Sequence, residues 1–153
     1  MPKGIHTIEL NVPIEKVWHF VSDMDRWAPL VPGYIEHKKL NGKQSTWKFE
    51  SDIGIMKKLI HMKIDIKEWT KPSQVRFDLT GINEKFSGEG YFQAEKLSET
   101  KTKMVGCLDI TAKGMMAPMV NPALKTIVPK TTKELSEAIA AKIGGNDTLT
   151  SND

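Results

Sequence analysis

From Tyr34 to Ala112 the chain alternates apolar and polar residues almost without a break, and one long amphipathic segment then fills its last third. That pairing narrows the fold more than any single motif. Trp47, Phe49, Ser51 and Ile53 share one side, opposite Lys48, Glu50 and Asp52. Ile60, Met62, Ile64 and Ile66 repeat the pattern, followed by Val75, Phe77 and Leu79. Phe86, Gly88, Gly90, Phe92 and Ala94 come next, and Met104, Gly106, Leu108, Ile110 and Ala112 close the series. A period of two residues sends each set to one face of a strand. The breaks at Asn41-Gly42, Gly54, Lys71-Pro72-Ser73, Ile82-Asn83 and Ser98-Glu99-Thr100 are short, which suits hairpins. Strands joined in this way form an antiparallel sheet with one wet and one buried face.

The two ends supply the other elements. His6, Ile8, Leu10 and Val12 alternate with Thr7, Glu9 and Asn11 in a first strand. Pro13 ends it, and Val17, Phe20, Val21 and Met24 then recur at helical spacing. Asp23 to Gly33 carries Pro29, Pro32 and Gly33, where the chain turns back toward the sheet. Asn121-Pro122 reads as a cap followed by proline at the first helical position. Leu124, Ile127, Val128, Thr131, Leu135, Ala138 and Ile139 make the apolar stripe, and Pro129 within it predicts a kink or break. Gly144-Gly145 stops the helix. The expected architecture is α+β: a curved antiparallel sheet of six or seven strands wrapped around a long C-terminal helix, with two short helices after the first strand. Residues 1–143 form a single domain in this reading, and 144–153 a disordered polar tail.

Bulk properties exclude several classes. At 153 residues with a net charge of +3, the chain is too weakly basic to announce a nucleic-acid partner. Cys107 is its only cysteine, which rules out an internal disulfide and a multi-cysteine metal site. No run of 18 apolar residues is present and the N-terminus lacks the pattern of a signal peptide, so a cytoplasmic protein is expected. Between Tyr34 and Lys71, nine lysines face five acids, a local excess of +4. Such a strand face suits an anionic membrane or acidic partner, or is simply solvated and protected against edge pairing.

Catalytic and metal signals are weak. His6, His19, His37 and His61 have no metal-ligand spacing. His6 falls on the inward face, either to donate to a ligand or to be satisfied within the core. Cys107 has no nearby base, no Gly-x-Ser-x-Gly elbow exists, and the strand carboxylates fall on outward faces. No catalytic residue, metal or cofactor is therefore assigned. An apolar inner face under one helix tends to leave a hollow, and inward Gly88, Gly90 and Gly106 either enlarge it or bend the sheet. The candidate ligand-binding residues are Ser51, Met62, Phe77, Leu79, Phe86, Phe92, Met104, Leu108, Met119, Leu124 and Ile127. Methionine suits irregular apolar ligands and equally well fills cores. Trp27, Pro29, Leu30 and Pro32 form either a lip of the entrance or a loop plug. Ile55, Met56, Lys57 and Lys58, at a hairpin tip, are candidates for peripheral contact with the inner membrane face.

The order of strand, Val17-Trp18-x-Phe20, Leu30-Val31-Pro32-Gly33, meander and final helix resembles the START-like (Bet v 1-like, SRPBCC) superfamily. Ile53-Gly54-Ile55, Gly88-Glu89-Gly90 and Gly114-Met115-Met116-Ala117 make it similar to the CoxG-like branch, which takes its name from carbon monoxide dehydrogenase. The resemblance covers residues 5–143 and implies a helix-grip fold around a hydrophobic tunnel. It implies a binding or carrier role toward a lipid, quinone or polyketide-like molecule, with a polyketide cyclase or aromatase and a membrane adaptor for a dehydrogenase as alternatives. Pro118, Pro122 and Pro129 depart from the family's longer, continuous helix.

Overall fold

The computed structural model describes residues 2–53, 56–144 and 149–150; of residues 51–53, 56, 57, 149 and 150 only the backbone is described. Strand β1 (Lys3–Leu10) leads into α1 (Ile14–Val21), α2 (Met24–Trp27) and a 3-10 turn at Ala28–Leu30. The meander follows as β2 (Tyr34–Lys39), β3 (Gln44–Ile53), β4 (Met56–Thr70), β5 (Gln74–Gly81), β6 (Phe86–Ser98) and β7 (Lys101–Ala112). Helix α3 (Ala117–Gly144) and a two-residue strand, β8 (Leu149–Thr150), complete the chain. The sheet runs β2-β3-β4-β5-β6-β7-β1-β8, antiparallel throughout. This is the expected helix-grip arrangement, seven long strands around a C-terminal helix. Leu149 and Thr150 belong to the stretch expected to be a polar tail, and they pair with Glu9 and Ile8. The rest of that stretch, 145–148 and 151–153, lies outside the described residues.

The alternation translates directly into burial. Ile8, Leu10, Ile60, Met62, Ile64, Ile66, Val75, Phe77, Leu79, Phe92, Met104 and Leu108 are all buried on the concave side. The turn into β2 depends on Gly33. Its φ of +80° favours glycine, and a Cβ there would strike the Glu50 carbonyl oxygen. The same approach lets Gly33 C=O accept from the Glu50 N–H at 2.8 Å, which sets where the β2–β3 ladder begins.

Helix α3 differs from expectation at its start and its buried face, and Pro129 does not break it. It begins at Ala117, not at Pro122, and remains one helix through Pro122 and Pro129. Asn121 does not cap it. The Asn121 side chain instead accepts from the Ala112 N–H (2.8 Å) and donates to the Ala112 C=O (3.2 Å), pinning the helix to the end of β7. The buried face comprises Val128, Thr132, Leu135, Ser136, Ile139, Ala140 and Ile143. Thr132, Ser136 and Ala140 displace the expected Thr131 and Ala138, and Thr132 and Ser136 sit where the helix meets glycines of the sheet. A Cβ on Gly4 would lie 2.7 Å from Pro129 Cα and 2.8 Å from the Val128 carbonyl oxygen. One on Gly106 would meet Ser136 Oγ. Two glycines therefore let α3 settle onto the backbones of β1 and β7, a packing gain that offsets their weak strand propensity.

Candidate functional site

The concave face is apolar as expected, but it is occupied. Trp27, only 1% exposed, drops from α2 into the middle of the bowl. Its ring meets Trp47 edge-on at 5.2 Å and Phe92 at 5.0 Å, and lies tilted against Phe77 at 5.7 Å. Its indole N–H donates to the Val21 carbonyl at 3.1 Å, which satisfies the one polar atom that a buried tryptophan carries. Trp27 is thus a plug, whereas Pro29 is exposed and Leu30 and Pro32 are half-buried. The inward glycines serve close packing as well. A Cβ on Gly90 would press on the Phe77 ring, and the space above Gly106 belongs to Ser136.

Two crevices lie beside this cluster among the described residues. One, lined by residues that include Val17, Trp18, Pro72, Phe92 and Met104, has essentially no free volume (≈ 0 Å³). The other, between Phe77, Phe92, Leu108 and α3 at Thr132, Leu135 and Ser136, holds ≈ 10 Å³. That is at the lower limit for one water molecule. The hollow expected from the sequence is not open at either place in this structure.

The candidate residues divide accordingly. Met62, Phe77, Leu79, Phe92, Met104 and Leu108 are buried and in contact with the protein's own core. Phe86 and Leu124 are half-buried and pack against that core, and Ile127 is half-buried on α3. Met119 is a correction: it stands 72% exposed on the first turn of α3, so it lines no interior wall. The Ser51, Met56 and Lys57 side chains and the whole of Ile55 lie outside the described residues. Lys58 pairs with Glu84 at 2.7 Å. His6 is buried against α3, with Nε2 3.5 Å from Glu137 Oε2, and faces the helix, not a ligand space.

Sequence reasoning missed one constellation. Tyr34 O–H and His37 Nδ1 are 2.6 Å apart, and His37 Nε2 lies 2.7 Å from Asp25 Oδ1. Asp25 Oδ2 is in turn 3.2 Å from Lys39 Nζ. Tyr34 and His37 are three residues apart, which in a regular strand sends them to opposite faces. A bulge between Tyr34 and Glu36 adds the extra residue that brings both to the side of Phe49 and Trp47. The ionised Asp25 can only accept, so Nε2 carries the proton, and a neutral ring then accepts from Tyr34 at Nδ1. The His37 hydrogen bond, aided by Lys39 and opposed by desolvation, holds the Asp25 carboxyl below its ordinary value. Asp25 in turn raises the Lys39 ammonium. Chemically this is a proton path from a phenol through an imidazole to a carboxylate. Structurally it also ties α2, and with it Trp27, to the edge strand.

Cys107 faces away from the bowl, beside Tyr91. Burial, above all, raises its thiol, as it does the Tyr91 phenol. A raised thiol is a poor nucleophile at neutral pH.

A protein-family model matches residues 1–144. No curated protein matches the chain. Solved structures do. A conserved protein from Geobacillus kaustophilus superposes with a TM-score of 0.77 at 15% identity, over 92% of this chain and 94% of that one. A START superfamily protein from Mycobacterium smegmatis gives 0.71 at 20% identity, over 92% and 96%. The Zhui aromatase/cyclase of a Streptomyces species gives 0.70 at 13% identity, over 92% of each chain. No described helix is long and apolar enough to cross a membrane. The chain thus matches a family model over residues 1–144 and shares the fold of these proteins, a START superfamily member among them.

Proposed function

We propose that the protein binds a hydrophobic small molecule (a lipid, quinone or polyketide-like compound) between α3 and the sheet, without transforming it. The observation that supports this reading is the uneven burial of α3. From Val128 onward the helix has a fully buried face, whereas from Ala117 to Ile127 none of its residues is fully buried. Near Ala112, which Asn121 holds, Phe86 at the start of β6 and Ile110 near the end of β7 are likewise half-buried. A guest gains room by lifting this segment and slipping in beneath Leu124 and Ile127. Lifting breaks the two Asn121–Ala112 hydrogen bonds, at about 1 kcal/mol net each. Pro129 eases the motion, because it has no N–H to bond the Lys125 carbonyl one turn earlier. Burying ~300 Å² of apolar ligand surface returns about 7 kcal/mol before the cost of association.

The test uses the chain's own tryptophans. A short-chain ubiquinone quenches nearby indoles, so a guest in the interior dims Trp27 and Trp47, which Trp27→Phe and Trp47→Phe variants identify. Native mass spectrometry of the gently purified protein reports any guest carried through. Saturable quenching of the interior pair, weakened when Leu124→Trp crowds the entry, supports the reading. Quenching confined to the exposed Trp69, with an empty mass spectrum, overturns it and favours an adaptor that needs no cavity.

A second reading, an acid–base enzyme of the cyclase type, is favoured by the Tyr34–His37–Asp25 chain. Tyr34 oxygen takes a substrate proton as its own proton moves to His37 Nδ1, and Asp25 stabilises the resulting imidazolium. Turnover that Tyr34→Phe abolishes, with guest binding intact, supports this alternative.

A further inference from the structure

We infer that one end of the molecule is a docking face for an anionic lipid surface. This rests on the surface alone and holds whether or not the interior takes a guest. Two connections and the start of β4 meet there. Asn83, in the β5–β6 turn, accepts from the His61 N–H at 2.9 Å and donates to the Leu59 carbonyl at 2.8 Å, binding that turn to the start of β4. The Lys113 N–H donates to the Lys85 carbonyl at 2.8 Å, joining the same turn to the β7–α3 connection. Lys85 also lies across Gly114, where a Cβ would come within 3.0 Å of its Cδ. The result is a continuous rim of backbone held by hydrogen bonds.

Its side chains run against the usual sorting. Met115 is 97% exposed, Met119 72% and Met116 58%, and Leu59 and Ile82 are each 51% exposed. Scattered exposed apolar residues need no explanation, but five on adjoining segments do. The charge of the same rim identifies the occupant. Segments 58–61, 82–85 and 113–125 contain four lysines (58, 85, 113 and 125) and a single acid, Glu84, an excess of +3. Glu84 is engaged by Lys58, leaving the positive charge of the other three to face outward. Exposed methionines with a leucine and an isoleucine beside them, flanked by lysines, match the boundary between acyl chains and anionic headgroups. The methionines enter that boundary and the lysine stems lie along it with their ammonium groups at the phosphates. A protein partner would be met better by a flat or grooved face than by protruding turns.

The experiment is flotation of the purified chain with vesicles of phosphatidylcholine containing about 30% phosphatidylserine, set beside pure phosphatidylcholine, at about 0.1 M salt and at about 0.5 M. Binding to the anionic vesicles, weaker at high salt and at least tenfold weaker on neutral ones, is the expected result. The exposed triple variant Met115→Ser/Met116→Ser/Met119→Ser is expected to lose about tenfold in partitioning. Lys113→Glu and Lys125→Glu are each expected to lose about fivefold or more. A control reversal on the sheet's far end, Lys96→Glu, is expected to change nothing. Equal binding to both vesicle types, wild-type-like binding by the methionine variant, or an equal loss in the control overturns the inference. Circular dichroism and unfolding midpoints confirm that each variant is folded.

Discussion

The two parts of α3 solve the same packing problem differently. From Val128 to Gly144 the helix lies on β1 and β7 through small residues set against Gly4 and Gly106, with Leu135, Ile139 and Ile143 filling the gaps. From Ala117 to Ile127 it rests on half-buried Leu124 and Ile127 and is tied down by one amide, Asn121. The first arrangement spreads stability over many close contacts. The second concentrates it in two hydrogen bonds and a partial apolar contact, so it can open without unfolding the rest. One helix thus serves as both core and cover, and the change falls at Pro129, where the backbone bond to Lys125 is missing.

Truncation is the strongest way to break this contrast. Ile139→Ala is expected to cost about 3–4 kcal/mol in urea unfolding, because it removes a fully buried side chain from a filled core. Leu124→Ala should cost about 1 kcal/mol, since part of its surface already meets water. Equal losses would mean that the two parts are packed alike. Glycine substitution sharpens the contrast. Gly4→Ala is expected to lose about 1–3 kcal/mol, because its obstacles include the Pro129 and Val128 backbone. Gly106→Ala should lose less, because the obstructing Ser136 hydroxyl can rotate away.

The smallest effect concerns the Asp25–His37 tie beneath the Trp27 plug. Asp25's carboxyl is lowered in the folded protein, so its contribution is present above the ordinary value of 3.8 and is lost as pH falls below it, through the lowered folded-state value. Stability should therefore decline slightly more steeply below about pH 4 in the wild type than in His37→Ala, which has already lost the interaction. Parallel acid limbs for the two proteins would remove the tie from the account. Asp25 is half-exposed, so solvent keeps the effect modest.

Strand identity, turn positions and the inward sets were legible because period-two burial is a local property of sequence. The start of α3 was not. Asn121-Pro122 has the chemistry of a cap, yet its amide is drawn to Ala112, a partner that only the folded β7 supplies. The buried face of α3 was misplaced in part because Thr132 and Ser136 look polar in sequence, and only their seats on Gly4 and Gly106 make smallness count for more than hydrophobicity. The filling of the bowl escaped notice for a related reason. Trp27 sits in a proline-marked loop, and no periodicity says whether a loop tryptophan points in or out. The Tyr34–His37–Asp25 chain depends on a bulge, which changes the face of Tyr34 with no signature in the alternation itself. Of the candidate wall residues, Met62, Phe77, Leu79, Phe92, Met104 and Leu108 were legible as inward because they follow the period of two, whereas Met119 is exposed on a helix that starts earlier than its cap signal suggested.

The most direct test is amide hydrogen exchange along α3, resolved to single residues by NMR. Amides from Met119 to Ile127 should exchange through a local opening at least about 2 kcal/mol easier than that of Leu135 to Ile143, and Asn121→Ala should speed the first group about fivefold while leaving the second unchanged. Uniform protection along the helix, or a uniform response to Asn121→Ala, would contradict the division of α3 into a seated core and a liftable cover.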